Sequence, residues 1–268
     1  MLTVGSLFSG IGGIDLGLER AGMTVKWQSE IDPYACKVLA KHWPDVPNLG
    51  DIKKIDWKET EYVDVIAGGY PCQPFSTAGK RAGEEDPRHL WPWVREAISN
   101  IRPRYAILEN VRGHLTLGGL SVIGDLASIG YDAEWRIVSA ASVGANHRRD
   151  RVIIVAYPDS TPRQQQCEWE IQESHIGGRS EDMADTKGNN GGNTEPHRLQ
   201  TVFGQASKLK KQNSDIKSIG DWWKTEPGMG RVADGIPARV DRLKCLGNAV
   251  VPQVAELIGR LVVEHSTN

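Results

Sequence analysis

The stretch Leu2-Thr3-Val4-Gly5-Ser6-Leu7-Phe8-Ser9-Gly10-Ile11-Gly12-Gly13 decides the fold class. Its first half is a short apolar run, which reads as a strand buried in a sheet. Its second half is rich in glycine, which lets a backbone turn sharply and approach a ligand closely at the carboxyl edge of a sheet. Apolar residues then return at helical spacing from Ile14 to Ala21. Outward from this unit the alternation repeats. Further strands are predicted at Met23–Ser29, Val63–Ala67, Tyr105–Leu108, Ala133–Ser139 and Val152–Ala156, and helices at Tyr34–Trp43, Trp93–Asn100 and Leu120–Ile129. Runs such as Ile153-Ile154-Val155 fit strands covered on both faces. Pro33 suits a first helical turn with Asp32 as its cap, and Gly22 and Gly130 stand where helices end. The alternation predicts an α/β fold, Rossmann-like, with a mostly parallel, doubly wound sheet over residues 1–156.

After Ala156 the composition changes. Residues 157–231 are rich in Gln, Asn, Gly, Ser and Thr and lose regular periodicity, which predicts a small irregular lobe. Acidic residues dominate from Asp159 to Asp185 and basic ones from Thr186 to Arg231. Residues 232–268 read as a return to the core, with an amphipathic helix over Val251–Val263 that Pro252 can start. The totals suit a globular chain: 268 residues, 39% apolar, 25% charged. A net charge of −2 excludes a globally basic nucleic-acid binder but not a local basic patch. Cys36, Cys72, Cys167 and Cys245 form no CxxC pair, so neither a metal site nor a disulfide framework is expected, and a reducing, cytoplasmic setting is. The first residues lack the pattern of a signal peptide, and no stretch reads as a membrane span, so no membrane association is expected.

Two clusters of residues carry chemistry. The first follows the glycine-rich turn. Glu30 ends the second strand 20 residues after Gly10, where a carboxylate can accept hydrogen bonds from both hydroxyls of a ribose. Asp51 reaches the same sheet edge if the segment before it is the next strand, and is otherwise an ordinary loop aspartate. The full GxGxxG spacing of a dinucleotide site is absent, as is the GKS or GKT ending of a phosphate loop, so an adenosyl ligand without phosphates fits better. The second cluster begins where Val63–Ala67 opens into Gly68-Gly69-Tyr70-Pro71-Cys72-Gln73-Pro74. A cysteine just past a strand end, between prolines that limit its backbone, is a candidate nucleophile. Glu109 ends a buried strand, so partial desolvation should raise its pKa and equip it as a general acid; a solvated strand-end glutamate is the alternative. Arg149 and Arg151 precede the last strand. On an extended chain they share a face, where they either hold an anionic or carbonyl-bearing ligand or form a solvated basic edge.

Taken in order, these motifs resemble the DNA cytosine C5-methyltransferase family, from Leu7 to Ala156 and again from about Gly230. The resemblance implies that Cys72 of Pro71-Cys72-Gln73 attacks the target cytosine and that Glu109 of Glu109-Asn110-Val111 engages the base edge. Arg149 and Arg151 join them in the catalytic set. The cofactor implied is S-adenosyl-L-methionine, leaving as S-adenosyl-L-homocysteine, with no metal. Its implied contacts are Phe8, Gly10, Ile11, Gly12, Gly13, Glu30, Ile31, Asp51, Ile52 and Pro71, with Asn248 and Val250 of Gly247-Asn248-Ala249-Val250 closing the pocket. One position departs from the family pattern: His147 stands where the family has Gln, two residues before Arg149. The implied substrate is double-stranded DNA with the base flipped out of the stack, read by residues 157–231, in a monomer that a cognate restriction endonuclease accompanies. The resemblance also leaves a tRNA cytosine methyltransferase open. A silent nucleic-acid binder would not need the Cys72, Glu109 and Arg149 set, and a nicotinamide-dependent oxidoreductase would need the missing third glycine.

Overall fold

The computed structural model describes residues 1–71, 90–116, 118–159 and 239–267. Cys72, the segment that follows it and the lobe expected over 157–231, from 160 onward, lie outside the described residues. The elements in chain order are β1 (Thr3–Leu7), α1 (Gly13–Arg20), β2 (Thr24–Ser29), α2 (Pro33–His42), β3 (Val65–Gly69), α3 (Trp91–Ile101), β4 (Tyr105–Val111), α4 (Gly119–Ser128), β5 (Tyr131–Val138), β6 (Arg151–Pro158), α5 (Arg239–Asn248) and α6 (Pro252–Thr267). The strands form one sheet in the order β2-β1-β3-β4-β6-β5. Strands β2, β1, β3 and β4 pair in parallel, and β6 runs against both β4 and β5, so it alone breaks the common direction. The α/β class and the mostly parallel sheet are as the alternation predicted.

Both faces of the sheet are covered, and β6 shows why its sequence is an unbroken apolar run. Ile153 and Val155 enter one core with Leu18, Val254, Ile258 and Leu261 of α1 and α6. Val152, Ile154 and Ala156 enter the other, with Val94, Ile98 and Leu126 of α3 and α4. Each side chain here faces a packed layer, so alternation with polar residues would bury polar groups at a cost. Asp32 caps α2, accepting hydrogen bonds from the Tyr34 and Ala35 N–H groups, with Pro33 in the first turn. Gly22 and Gly130 follow α1 and α4 with φ of 89° and 82°, as helix-ending glycines do.

Three local readings change. Strand β3 runs on through Gly68 and Gly69, and β4 through Glu109 and Asn110, because ladder pairing between them outweighs weak strand propensity. The segment before Asp51 is not a strand: it meets β2 through a single parallel bridge, Gln28 to Asn48. Helix α5 went unread, since its charged sequence Arg239–Asn248 shows little apolar periodicity. One stretch among the described residues, Lys244–Thr267, is long and apolar enough by composition to cross a membrane, contrary to expectation. Its apolar side is accounted for within the fold, since Val254, Ala255, Ile258, Leu261 and Val262 of α6 are buried in the core.

Candidate active site

The carboxyl ends of β1, β2, β3 and β4 share one edge, and the two predicted clusters stand along it. At the end predicted to hold a cofactor, Phe8, Gly10 and Gly12 have φ of 51°, 56° and 81°. A left-handed conformation is costly for a side chain such as Phe8 and easy for glycine. The Ser9 N–H donates to the Ser29 carbonyl and Gly12 N–H to the Ser9 carbonyl, which ties the turn to β2. Glu30 faces it. One carboxylate oxygen of Glu30 accepts from the Gly10 N–H at 2.8 Å, and the other from the Ile31 and Asp32 N–H groups at 2.8 and 2.7 Å. Asn48 holds the Glu30 backbone from both sides, accepting from its N–H and donating to its carbonyl. Of the roughly four acceptor positions on a carboxylate, three are taken, which leaves Oε2 able to accept one more donor.

Asp51 lies at the same edge even without a strand to carry it. The bridge at Asn48 and the hydrogen bond from Ser29 Oγ to the Gly50 carbonyl, 2.7 Å, bring it there. Its carboxylate accepts from the Lys53 N–H and caps a short 3-10 turn, Ile52–Lys54. Ile52 is buried, whereas Ile31 is 66% exposed beside Glu30. This donor and acceptor set fits an adenosyl group: a free carboxylate lone pair for a ribose hydroxyl, an aspartate for an amino group, and apolar side chains for a flat ring. The sequence supplies no phosphate-binding lysine at this turn.

The turn is closed from the far end of the chain. A Cβ on Gly13 would sit 2.5 Å from the Val250 carbonyl oxygen, so only glycine lets these backbones meet. Val250 is buried and Asn248 exposed. Beside this contact opens a cleft of about 690 Å³ whose lining includes Ile11, Gly12, Trp43, His147, Arg149 and Val250. Arg149 makes the junction: one terminal nitrogen donates to the Gly247 and Ala249 carbonyls at 2.5 and 2.7 Å. Its φ of 41° breaks the extended chain on which a shared face with Arg151 depended. Arg149 therefore grips the last turn of α5 and the residue after it, and Arg151 takes a different partner.

That partner is Glu109, at the reactive end. Arg151 Nε lies 2.6 Å from Glu109 Oε1. Glu109 stands opposite Ile153 on the β4–β6 ladder, so Arg151, two residues earlier on β6, reaches it diagonally. Glu109 is 9% exposed. Burial raises its pKa above the ordinary carboxylate range, and the Arg151 and Arg149 charges pull it back only in part. A Cβ on its ladder partner Gly69 would fall 2.6 Å from Glu109 Oε2, so the glycine makes room for the carboxylate. The strand that makes this room leads through Tyr70 and Pro71 into Cys72, itself outside the described residues. Asn110, which sequence reasoning left without a role, points to the other face and donates from Nδ2 to the Tyr70 carbonyl at 3.2 Å. Its position inside Glu109-Asn110-Val111 was the only signal available.

A family model described as C-5 cytosine-specific DNA methylase matches residues 2–227. Among curated relatives, the chain is 42% identical over 166 residues to the type II methyltransferase M.Eco47II of Escherichia coli, covering 58% of this chain and 39% of that one. It is 37% identical over 153 residues to M.NgoMIV of Neisseria gonorrhoeae, covering 55% and 49%. The chain thus spans half or less of the length of these relatives. Its fold is that of Spodoptera frugiperda DNMT2 (TM-score 0.60, 16% identity, 98% of this chain and 100% of that one). It is also that of the Entamoeba histolytica methyltransferase EhMeth (TM-score 0.60, 18% identity, 98% of each). The turn, the acidic edge and the buried Glu109–Arg151 pair lie inside the matched region, and the chain belongs to the C-5 cytosine-specific DNA methylase family.

Proposed function

We propose that this protein transfers a methyl group to C5 of cytosine in a specific double-stranded DNA sequence. The observation that carries the reading is the buried Glu109–Arg151 pair, set beside the glycine end of the strand that leads into Pro71-Cys72. When bound, S-adenosyl-L-methionine supplies a methyl group activated by its sulfonium. The Gly10–Gly13 turn, Glu30 and Asp51 hold that cofactor, and Val250 covers it.

The chain's own residues do the rest. The Cys72 thiolate adds to C6 of the flipped cytosine, and electron density moves toward N3 and C5. Glu109, whose burial favours its acid form, donates to N3 and stabilises the ring as it accepts that density. Arg151 fixes the Glu109 carboxyl in orientation. C5 is then a carbon nucleophile. After methylation the C5 proton leaves to a base, the C6–sulfur bond breaks, and Cys72 is restored as the thiolate. Arg149 acts on the cofactor wall through Gly247 and Ala249. Residues 157–231 read the DNA, with the basic half from Thr186 supplying phosphate contacts. We infer a type II system with a cognate restriction endonuclease, acting in the cytoplasm.

The test incubates the chain with tritiated S-adenosyl-L-methionine and either mixed-sequence duplex DNA or bulk tRNA. Label recovered as 5-methylcytosine from DNA is the expected result. Label in tRNA alone overturns the assignment of substrate.

A further inference from the structure

Pro71 and Leu90 are described and residues 72–89 between them are not. Next to these two described residues in the chain stand two aromatic rings, Tyr70 and Trp91, whose centroids are 5.4 Å apart and tilted by 45°. A third ring, His114, lies edge-on to Tyr70 at 5.4 Å, with its Nε2 2.7 Å from the Tyr70 hydroxyl. All three residues are 4% exposed. Each is tied to a different element. Asn110 of β4 donates to the Tyr70 carbonyl. Trp91 Nε1 donates to Asp125 of α4 at 2.6 Å. His114 sits in the 3-10 turn Arg112–Thr116 that follows β4.

The cluster is a poor piece of packing if packing is all it does. Burial pushes the His114 pKa down, so its ring is neutral and carries one proton. Nε2 is engaged by Tyr70, and Nδ1 is buried with no hydrogen-bond partner among the described residues. In one tautomer Nδ1 is an unmatched donor, in the other an unmatched acceptor. Among the described residues nothing offsets the cost of burying such a group, which an apolar pair of the same shape would avoid. A buried polar group retained at that cost calls for a role.

We propose that Tyr70, Trp91 and His114 form a clasp that sets the backbone from which the Cys72 nucleophile is presented, a reading that rests on the methyl transfer proposed above. Tyr70 is two residues from Cys72, and the proline between them has its φ fixed by the ring. Few soft torsions separate the clasp from the sulfur-bearing residue, so an error at Tyr70 passes on nearly undiminished. Misplacement of a reacting group by about 1 Å costs on the order of 100-fold in rate. The three are positioning residues: they act through Cys72 and touch neither base nor cofactor in this proposal.

The experiment compares Tyr70→Phe with Tyr105→Phe in the full chain. Tyr105 is a control of the same chemistry, its hydroxyl 2.8 Å from His265 Nδ1 at the opposite end of β4. For each variant one measures kcat, KM for DNA, cofactor Kd and Tm. Formation of the covalent protein–DNA complex on duplexes containing 5-fluorocytosine is followed in parallel, since fluorine blocks release at C5. Tyr70→Phe keeps the ring and is expected to lower kcat and the rate of complex formation by about tenfold, with cofactor Kd within about twofold of wild type. Tyr105→Phe is expected to leave kcat unchanged. His114→Gln, which restores an acceptor for the Tyr70 hydroxyl, is expected to recover most of the rate lost in His114→Leu. Unchanged kcat in Tyr70→Phe of an active chain, or a fall matched by equal losses in cofactor affinity and Tm, overturns the clasp alone. A wild-type chain that leaves no 5-methylcytosine in DNA, or a Cys72→Ser chain that still does, removes the methyl-transfer reading and the clasp with it.

Discussion

The two ends of the site edge are built by opposite means. At the end proposed to hold the cofactor, the Glu30 carboxylate is partly buried and held by three backbone N–H groups. At the reactive end Glu109 is buried and held by another side chain, the Arg151 guanidinium. Backbone donors tolerate many neighbouring side chains, because every residue but proline supplies one. A buried pair of side chains tolerates almost none, since removing the Arg151 guanidinium leaves the Glu109 carboxyl buried without the group that orients it. The cofactor end should therefore weaken in a graded manner under substitution, whereas the reactive end should fail outright.

The largest effect expected is at Cys72. Cys72→Ser should lower the rate of DNA methylation by at least about 10⁴-fold, because serine is far from its thiolate-like state at neutral pH. Cofactor Kd, measured by calorimetry, should stay within twofold. Next comes Arg151→Met, which leaves Glu109 buried without its guanidinium. The loss is expected to be about 1–3 kcal/mol in unfolding free energy by urea titration, together with most of the activity. A variant as stable and active as wild type would show that the two ends are not built differently after all. Glu30→Gln should weaken cofactor binding by about 100-fold, since the amide offers one acceptor oxygen where three N–H donors and a ligand compete. Its kcat at saturating cofactor should hold, and a collapse in kcat instead would blur the division between the ends.

A further effect, on stability alone, concerns a third carboxylate that belongs to neither end. Asp15 in α1 is fully buried, with Ser6 Oγ and Gln28 Nε2 at 3.0 and 2.8 Å but no cation paired with it among the described residues. Burial raises its pKa from 3.8 to about 6. A folded-state pKa above the unfolded one means that the native state binds the proton more tightly. The stabilisation is complete below about pH 4 and is lost as pH rises through about 6. Asp15→Asn should therefore gain on wild type by on the order of 3 kcal/mol between pH 4 and pH 7, read as the difference between their unfolding free energies. A pH-independent difference would mean that Asp15 ionises as freely as in the unfolded chain.

What the sequence made legible follows the same division. Strand positions, the Asp32 cap and the turn at Gly10–Gly13 are local, fixed by residues adjacent in the chain, and the strand ends read correctly to within two residues except at β4, which runs three further. Glu30 was found because its distance along the chain from Gly10 reflects one strand–helix–strand unit. The raised pKa of Glu109 was legible from its place after a buried run. Partners across the fold were not. Nothing near Arg149 announces that it will hold carbonyls 98 and 100 residues away. Nor does any local pattern say that one residue at φ 41° will part it from Arg151. Helix α5 escaped because its residues are held by contacts such as Lys244 to Asp32, 2.9 Å, rather than by an apolar stripe.

The meeting of Val250 with Gly13, and of α6 with α1, has a consequence in time. The glycine-rich turn leaves the ribosome well before the wall that meets it, because Gly13 and Val250 stand 237 residues apart. At about 5–20 residues per second, roughly 10–50 s separate the two. Through that interval α1 lacks the helix against which Ile14 and Leu18 are buried in the finished protein. Closing so long a span is slow, because the chain entropy is lost before any contact compensates it. A nascent chain should therefore bind no cofactor until synthesis has passed α6.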